Sequence, residues 1–299
     1  MRITLSGATG FLGRHLVKRL LSDGHVITLL TRRPLTGLSP RIETYLWNPP
    51  RLNPPPEAFD NADALIHLAG ESVNQRWTTE AKRLLITSRL DSTRSLVQAL
   101  SSRSKRPGIF LSSSAIGFYG DRGDELLSET SAAGTGFLAD LSIDWEKEAN
   151  LARSLGIRVY CLRTGVVLGR DGGAMASMLP VFRLGIGGKL GAGQQWMSWI
   201  HIDDWVGSVA HILNQDLPSG SLNLTAPNPV RNVEFTESLG KVLHRPAFLT
   251  VPEFALKLLF GDMSSVLLGS QRVLPEVLLH SGYHFRHPAL ESALRSLLQ

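Results

Sequence analysis

Cysteine is almost absent: Cys161 is the only one in 299 residues. No internal disulfide can form, and the chain is expected in a reducing compartment, the cytoplasm. Long hydrophobic runs are missing too. No uncharged apolar stretch is long enough to span a bilayer, and Met1-Arg2 leads into a short apolar strand, not into the long apolar middle of a secretory signal. Low-complexity tracts and internal repeats are likewise lacking, and 43% hydrophobic with 19% charged residues suits an ordinary folded protein. Nor is charge of one sign concentrated. The net charge is +5 and the pI about 9.6, but Lys and Arg are spread along the chain. The densest group, Arg103, Lys105 and Arg106, reads as a solvated helix end. No nucleic-acid surface is expected, and part of the positive excess is expected to meet an anionic small molecule.

What is present is an alternation of elements. Arg2 to Ser6 reads as a short buried strand. From Phe11, the apolar positions Leu12, Leu16, Val17 and Leu20 recur at helical spacing, and Gly24 supplies a stop. His25 to Leu30 is a second strand. Strand, glycine-rich turn, helix and strand make a βαβ unit and imply a parallel sheet. A proline-rich excursion follows, with Pro34, Pro40, Pro49, Pro50, Pro54, Pro55 and Pro56; it is expected to run over the surface without a regular helix. Residues 64–69 and 109–113 read as strands. Residues 78–101 read as a long helix with Leu84, Leu85, Leu96, Val97 and Leu100 inward, 138–155 as a helix and 157–163 as a strand. This rhythm, kept to about residue 165, predicts an α/β fold with a Rossmann-type doubly wound parallel sheet.

Beyond residue 165, "GRDGGA" and "GIGGKLGAG" are loop punctuation. Asp203 or Asp204 is read as the cap of a helix burying Trp205, Val206, Val209, Ile212 and Leu213. Residues 222–225 read as one more strand, and short helices and loops fill the remainder. The expected layout is a dinucleotide-binding Rossmann domain over 1–165 and 203–225. A smaller C-terminal substrate lobe takes 166–202 and 226–299.

The stretch "SGATGFLG" (Ser6 to Gly13) concentrates three glycines between a strand and a helix. Gly7, Gly10 and Gly13, with Thr9, Phe11 and Leu12 between them, have the context of a dinucleotide fingerprint in the spacing G-x-x-G-x-x-G. The turn must be tight, the backbone must approach a pyrophosphate with no Cβ in the way, and the helix must pack closely on the strand. The helix start then offers unpaired N–H groups to phosphate oxygens. About twenty residues on, where a carboxylate would accept from a ribose 2′-hydroxyl, the chain has "LLTRRP". Thr31, Arg32 and Arg33 suit a 2′-phosphate, so NADP(H) is expected over NAD(H); the plainer reading is two exposed arginines at a strand end.

Taken with "ALIHLAGE", "LSSSAIGFYG", "LRTGVVLG" and "WIHIDD", the glycine motif resembles the short-chain dehydrogenase/reductase superfamily, in its extended, epimerase-like branch. "RWT", "SRLDSTRSLV", "DWEKEA", "GGKLGAGQQWMSWIHIDD" and "APNPVRN" narrow the resemblance to an atypical group usually labelled epimerase-family proteins. It runs from about residue 2 to about residue 294. The resemblance implies NADP(H) in the Rossmann domain, with Leu68, Ala69 and Gly70 closing on its adenosine half. Arg89 would reach a phosphate or remain a helix-surface cation. Ser112 would join the cofactor contacts, Val167 would lie on the nicotinamide side, and Trp199, His201 and Asp203 would border the substrate cleft.

Active members of that superfamily use a Ser or Thr, a Tyr and a Lys. The phenol exchanges a proton with the substrate oxygen, and the ammonium lowers the phenol pKa. Ser114 matches the hydroxyl position. Leu138 and Ser142, in "GFLADLSIDWE", correspond to the Tyr and Lys, and neither can do their work. Tyr119 is the candidate substitute acid; Lys147 is displaced along the helix. The first expectation is an NADP(H)-binding, epimerase-like oxidoreductase of a small polar, sugar-like substrate. The alternative, favoured by the missing Tyr-x-x-x-Lys pair, is a non-catalytic NADP(H)-binding regulatory protein. His280, His284 and His287 are not expected to bind a metal, because Gly282 breaks their helical face and no carboxylate or Cys completes a site. A monomer or homodimer is expected.

Overall fold

The computed structural model describes residues 1–49 and 51–299; Pro50, in the proline-rich excursion, lies outside them. Seven strands form one parallel sheet: β1 (Arg2–Ser6), β2 (Val26–Thr31), β3 (Ile42–Leu46), β4 (Ala64–His67), β5 (Ile109–Ala115), β6 (Arg158–Thr164) and β7 (Gly220–Leu224). Their order is β7-β6-β5-β4-β1-β2-β3. The chain builds outward from β1 to one side through β3, then crosses to β4 and builds the other side. The order therefore reverses between β1 and β4, where a doubly wound sheet opens a crevice at the carboxyl ends of its strands. Register is in step on both sides of the centre, with Leu5 opposite Leu29 and opposite Ile66.

The apolar character of these strands is explained by burial on both faces. On one face Ile3, Leu5, Ile27 and Ile66 pack with Leu16 and Leu20 of α1 (Phe11–Ser22) and with Trp205 and Val209 of a later helix, 202–214. On the other, Leu65, Phe110, Val159 and Cys161 pack with Leu96, Val97 and Leu100 of α2 (Thr79–Ser101), whose cap Thr78 accepts from the Ala81 amide. Each such aliphatic side chain contributes roughly 1.5–3 kcal/mol. Cys161 is buried as expected, and burial pushes its thiol far up. Leu84, expected inward on α2, is exposed.

Three other expectations need correction. The proline-rich excursion contains β3, which pairs with β2 at the outer edge of the sheet. The helix after β5, α3 (Phe137–Asn150), ends in a tighter 3-10 segment, Leu151–Leu155, so the 138–155 reading joined two elements. The helix at 202 is not capped by Asp203 or Asp204.

A third apolar cluster, separate from the sheet-packed α5 (Ile202–Asn214), joins α4 (Gly173–Arg183) to α6 (Asn232–Leu243) and the C-terminal helix 290–298 around Met175, Leu179, Phe182, Trp199, Phe235, Leu239 and Leu294. It is fastened to α5 at Asp204. That fully buried carboxylate accepts from the amides of Arg286 and His287, at 2.7 and 2.8 Å, and from the Tyr283 hydroxyl at 3.2 Å. No helix among the described residues is long and apolar enough to cross a membrane.

Candidate functional site

The crevice between β1 and β4 is floored by backbone. Gly7 has φ +82°, and a Cβ there would lie 2.6 Å from the Leu68 carbonyl carbon; one on Gly13 would lie 2.2 Å from Gly7 O. Glycine is therefore required at both positions by close approach, and at Gly7 by its dihedral as well. Gly10 caps α1 without a side-chain bond, and no acidic residue occupies the first turn. The Arg14 amide is the first to bond back, to Gly10 O at 3.1 Å. The amides of Phe11, Leu12 and Gly13 thus have no helical partner and face the exposed turn at Thr9 and Gly10. Opposite, the Leu68 amide donates to Ser6 O at 3.1 Å, which sets Leu68, Ala69 and Gly70 against the glycine turn.

Two sets of guanidinium groups flank this cradle. At the carboxyl end of β2, Thr31 is buried and donates to Arg33 O at 2.9 Å. Arg32 and Arg33 are exposed, and no carboxylate of the described residues pairs with either. Under the β4 loop, a Cβ on Gly70 would lie 3.5 Å from the Arg89 guanidinium carbon. Arg89 donates to Leu85 O and Glu71 O at 3.2 and 3.0 Å and sits 5.2 Å from the Trp145 ring. Burial lowers its pKa to about 10, opposed by the Glu71 carboxylate. Arg89 is thus a half-buried cation whose hydrogen bonds go to carbonyls.

A strap unseen in the sequence covers the start of α1. The Phe11 ring packs where a Cβ on Gly169 or Gly172 would come within 2.4 Å of it. Asp171, between those glycines, accepts from Arg14 at 2.9 Å and lies 3.1 Å from His15 Nε2. Val167 is buried just before the strap, in a two-stranded piece pairing Val166–Gly169 with Trp199–His201.

On the reaction side, α3 places Leu138, Ser142 and Glu146 at four-residue intervals along one face. Leu138 packs against Gly117, Ser142 is buried, and Glu146 anchors a buried network. The Ser114 hydroxyl donates to Glu146 Oε1 at 2.7 Å, Arg163 grips both carboxylate oxygens at 2.8 and 2.9 Å, and the Ser221 hydroxyl donates to Oε2 at 2.9 Å. Arg163 also donates to the Tyr119 hydroxyl at 3.0 Å, which itself donates to Asn223 Oδ1 at 2.7 Å. Tyr119 is fully buried, and burial pushes its phenol pKa up against the opposing pull of Arg163. Tyr119 as an acid at the cleft is thus corrected: its proton is committed inside the sheet. Ser112 is also buried, its hydroxyl directed at Ser113 O at 3.4 Å.

The expected substrate-side residues are corrected too. Trp199 is fully buried, with its indole N–H donated to Asn228 O at 3.0 Å. His201, equally enclosed, caps α5 by accepting the Asp203 amide at 3.0 Å and stacks on His287 with ring centres 3.8 Å apart. Desolvation, with His287 nearby, lowers its pKa to about 4. Asp203 is exposed, 3.9 Å from His201 Nδ1 and 4.0 Å from His287 Nε2. These three come together, but the Nδ1 lone pair that a metal would use is already taken by the Asp203 amide.

Residues 3–224 match the model of the NAD dependent epimerase/dehydratase family. The chain belongs to that family. Residues 251–297 match a further domain of unknown function. Over its full length the chain is 38% identical to the chloroplastic epimerase family protein SDR39U1 homolog of Arabidopsis thaliana, covering 87% of that protein. It is 37% identical to an epimerase family protein of Staphylococcus aureus, with 98% of each chain covered. The crystal structure of human epimerase family protein SDR39U1 (isoform 2) with NADPH superposes with a TM-score of 0.88 at 32% identity, covering 99% of both chains. A UDP-glucuronic acid 4-epimerase from Bacillus cereus, with a TM-score of 0.80 at 17% identity, shares the fold.

In this epimerase-family chain the two halves of the site differ in kind. The glycine cradle presents free amides and unpaired guanidinium groups, a surface built to take an anion. The face of α3 presents a methyl-tipped side chain, a buried hydroxyl and a neutralised carboxylate. Sequence reasoning missed Glu146 and Arg163 because each, alone, reads as an ordinary helix or strand charge; only the packing of α3 on β5 and β6 brings the pair together.

Proposed function

We propose that this epimerase-family chain binds NADP(H) across the carboxyl ends of β1, β2 and β4. The single observation that carries the reading is the glycine cradle: a Cβ at Gly7 would strike the Leu68 backbone and one at Gly13 would strike Gly7 O, so bare glycine backbone lets the open start of α1 sit tightly against β1 and the β4 loop, as a pyrophosphate site requires. In this reading the free amides of Phe11, Leu12 and Gly13 and the half-buried Arg89 hold the pyrophosphate side. Arg32 and Arg33, with no carboxylate beside them, select the 2′-phosphate. The human relative's crystal structure with NADPH supports the same cofactor. When bound, the nicotinamide supplies a hydride donor or acceptor. Val167 would lie beside it, and residues 166–202 and 226–299 would form the substrate lobe. A single buried cysteine fits a cytoplasmic setting.

Two readings of the reaction side follow. As an oxidoreductase of a small polar substrate, the chain needs a proton donor other than Leu138 or Ser142, which stand where active relatives carry Tyr and Lys. As a cofactor-responsive binding protein it needs none. The second reading is favoured by the hydrogen bonds that commit both Ser114 and Tyr119 to a buried network. Calorimetry with NADPH and NADH tests the first claim. Arg32→Ala combined with Arg33→Ala is expected to weaken NADPH by about 10- to 100-fold and leave NADH unmoved. NADH binding more tightly than NADPH would overturn the assignment. Loss of NADPH absorbance with any member of a carbonyl panel would decide for the oxidoreductase.

A further inference from the structure

Arg76-Trp77-Thr78 closes a short loop, residues 71–78, that runs from the floor of the crevice to α2. Both ends of this loop are fixed. At one end the Glu71 amide donates to the Ser88 hydroxyl at 3.0 Å, and the Glu71 carbonyl accepts from Arg89 at 3.0 Å. At the other, Thr78 caps α2 and the Trp77 side chain is buried. Trp77 belongs to an apolar cluster with Leu85 of α2, Leu141 of α3 and Met263 of the C-terminal region, its ring centre 5.2 Å from that of Phe137. Between the anchors the loop is internally ordered. The Trp77 indole N–H donates to Val73 O at 3.0 Å, as does the Gln75 amide at 2.9 Å, and the Gln75 side chain donates to Ser72 O at 2.8 Å. Ser72, Val73, Asn74 and Arg76 are nevertheless exposed.

The tip of the loop reaches the opposite bank of the crevice. Asn74 Nδ2 donates to the Ser177 hydroxyl at 3.2 Å, 103 positions on in the chain. Ser177 lies one turn into α4, which begins at Gly173, directly after the strap that packs on Phe11. One bank is therefore the β4 loop with α2, the other is the start of α1 with the strap and α4, and the Asn74–Ser177 bond joins them. Both partners are exposed, so this single neutral bond exchanges readily for bonds to water. Fixed ends, internal order and one breakable contact at the tip are the build of a flap that moves as a unit.

We propose that residues 72–76 are a gate across the crevice, anchored at Glu71 and Trp77 and caught shut by Asn74 on Ser177, so that a dinucleotide enters and leaves only when the catch is released. The gate rests on the reading that NADP(H) occupies the crevice. Asn74→Cys with Ser177→Cys, joined by dibromobimane, locks the catch in the full chain. Cys161, the only native thiol, is 1% exposed, so the reagent joins the introduced pair alone. Stopped-flow fluorescence of NADPH reads its uptake and release. Locked before NADPH is added, the chain should take it up at least ~10-fold more slowly than the parent. Locked after loading, it should keep its NADPH through gel filtration. The same two cysteines, each capped separately with monobromobimane, should exchange NADPH at least as fast as the parent. Ser177→Ala, which removes the catch alone, should release NADPH about three- to tenfold faster. Locked protein that exchanges NADPH at the parental rate overturns the gate. So does capped protein as slow as the locked form, which would make added bulk the cause, or Ser177→Ala with parental release. A parent chain that binds no NADPH overturns the reading of the crevice itself, and the gate with it.

Discussion

At the residue scale the strongest statement concerns Glu146 and Arg163. Their side chains are 8% and 6% exposed, and each satisfies the other's charge. Such a pair adds little over a well-packed apolar one, but removing one member strands a buried charge. Arg163→Met is therefore expected to cost about 3–5 kcal/mol, read as a lower midpoint in urea. Pairing it with Glu146→Leu should recover part of that loss, because no unpaired charge remains. A double variant as unstable as the sum of the two singles would show that the carboxylate and guanidinium do not act as a unit. The pair was illegible in the sequence for a plain reason: two charges seventeen positions apart on a helix and a strand carry no local signature. The glycines, by contrast, were legible because close backbone approach admits one residue type, and that constraint is written into the sequence directly.

At the element scale, histidines bind the pieces together in a pH-dependent way. His67 in β4 is fully enclosed between Ser6 and Ser92 hydroxyls, at 2.6 and 3.0 Å, and burial lowers its pKa to about 3. His201 at the start of α5 is lowered to about 4. Both lie below the ordinary value of 6.5, so the unfolded chain binds more protons in the interval between. The stability these neutral rings contribute is complete above pH 6.5 and drains away as pH falls toward 4 and then 3. The thermal midpoint should fall over that window. His201→Asn, which keeps an acceptor for the Asp203 amide but cannot titrate, should make the decline shallower. An unchanged pH slope would show that His201 is not one of the groups responsible. The cap itself also marks where sequence reading stops. Asp203 and Asp204 are the better cap formers by preference, but Asp204 is drawn into the fold to fasten residues 283–287, and His201, two positions ahead of Asp203, takes the cap. The edge strand β3 escaped notice for a related reason: prolines surround it, and its exposed Glu43 and Thr44 lack the apolar run of a central strand. The central strands were readable because two buried faces demand that run.

At the scale of the whole molecule, the candidate site depends on parts far apart in the chain. The cradle comes from the first thirteen residues and the β4 loop, whereas the strap over α1 arrives 157 residues later through Asp171. The Asp171 ion pairs are half exposed, at 46% and 52% for Arg14 and Asp171, so in water they contribute little to folding, about 0–1 kcal/mol. Their effect on a ligand beneath the strap is of another kind. A strap already docked on Phe11, Arg14 and His15 loses less freedom when an anion arrives at the helix start, and preorganisation of this sort appears in affinity more than in stability. Asp171→Ala frees the strap. It also releases the Arg14 cation near a phosphate site, which works in the opposite direction by strengthening the local field. The two effects separate with salt, because added electrolyte screens an exposed field and leaves the ordering cost unchanged. Calorimetry with NADPH at about 0.3 M salt should therefore find Asp171→Ala weaker than the parent by roughly three- to tenfold. The thermal midpoint of the ligand-free variant should stay within a few degrees of the parent. Equal affinity at high salt would mean that the strap plays no part in holding the cofactor, leaving the glycine cradle and its guanidinium flanks to bind it alone.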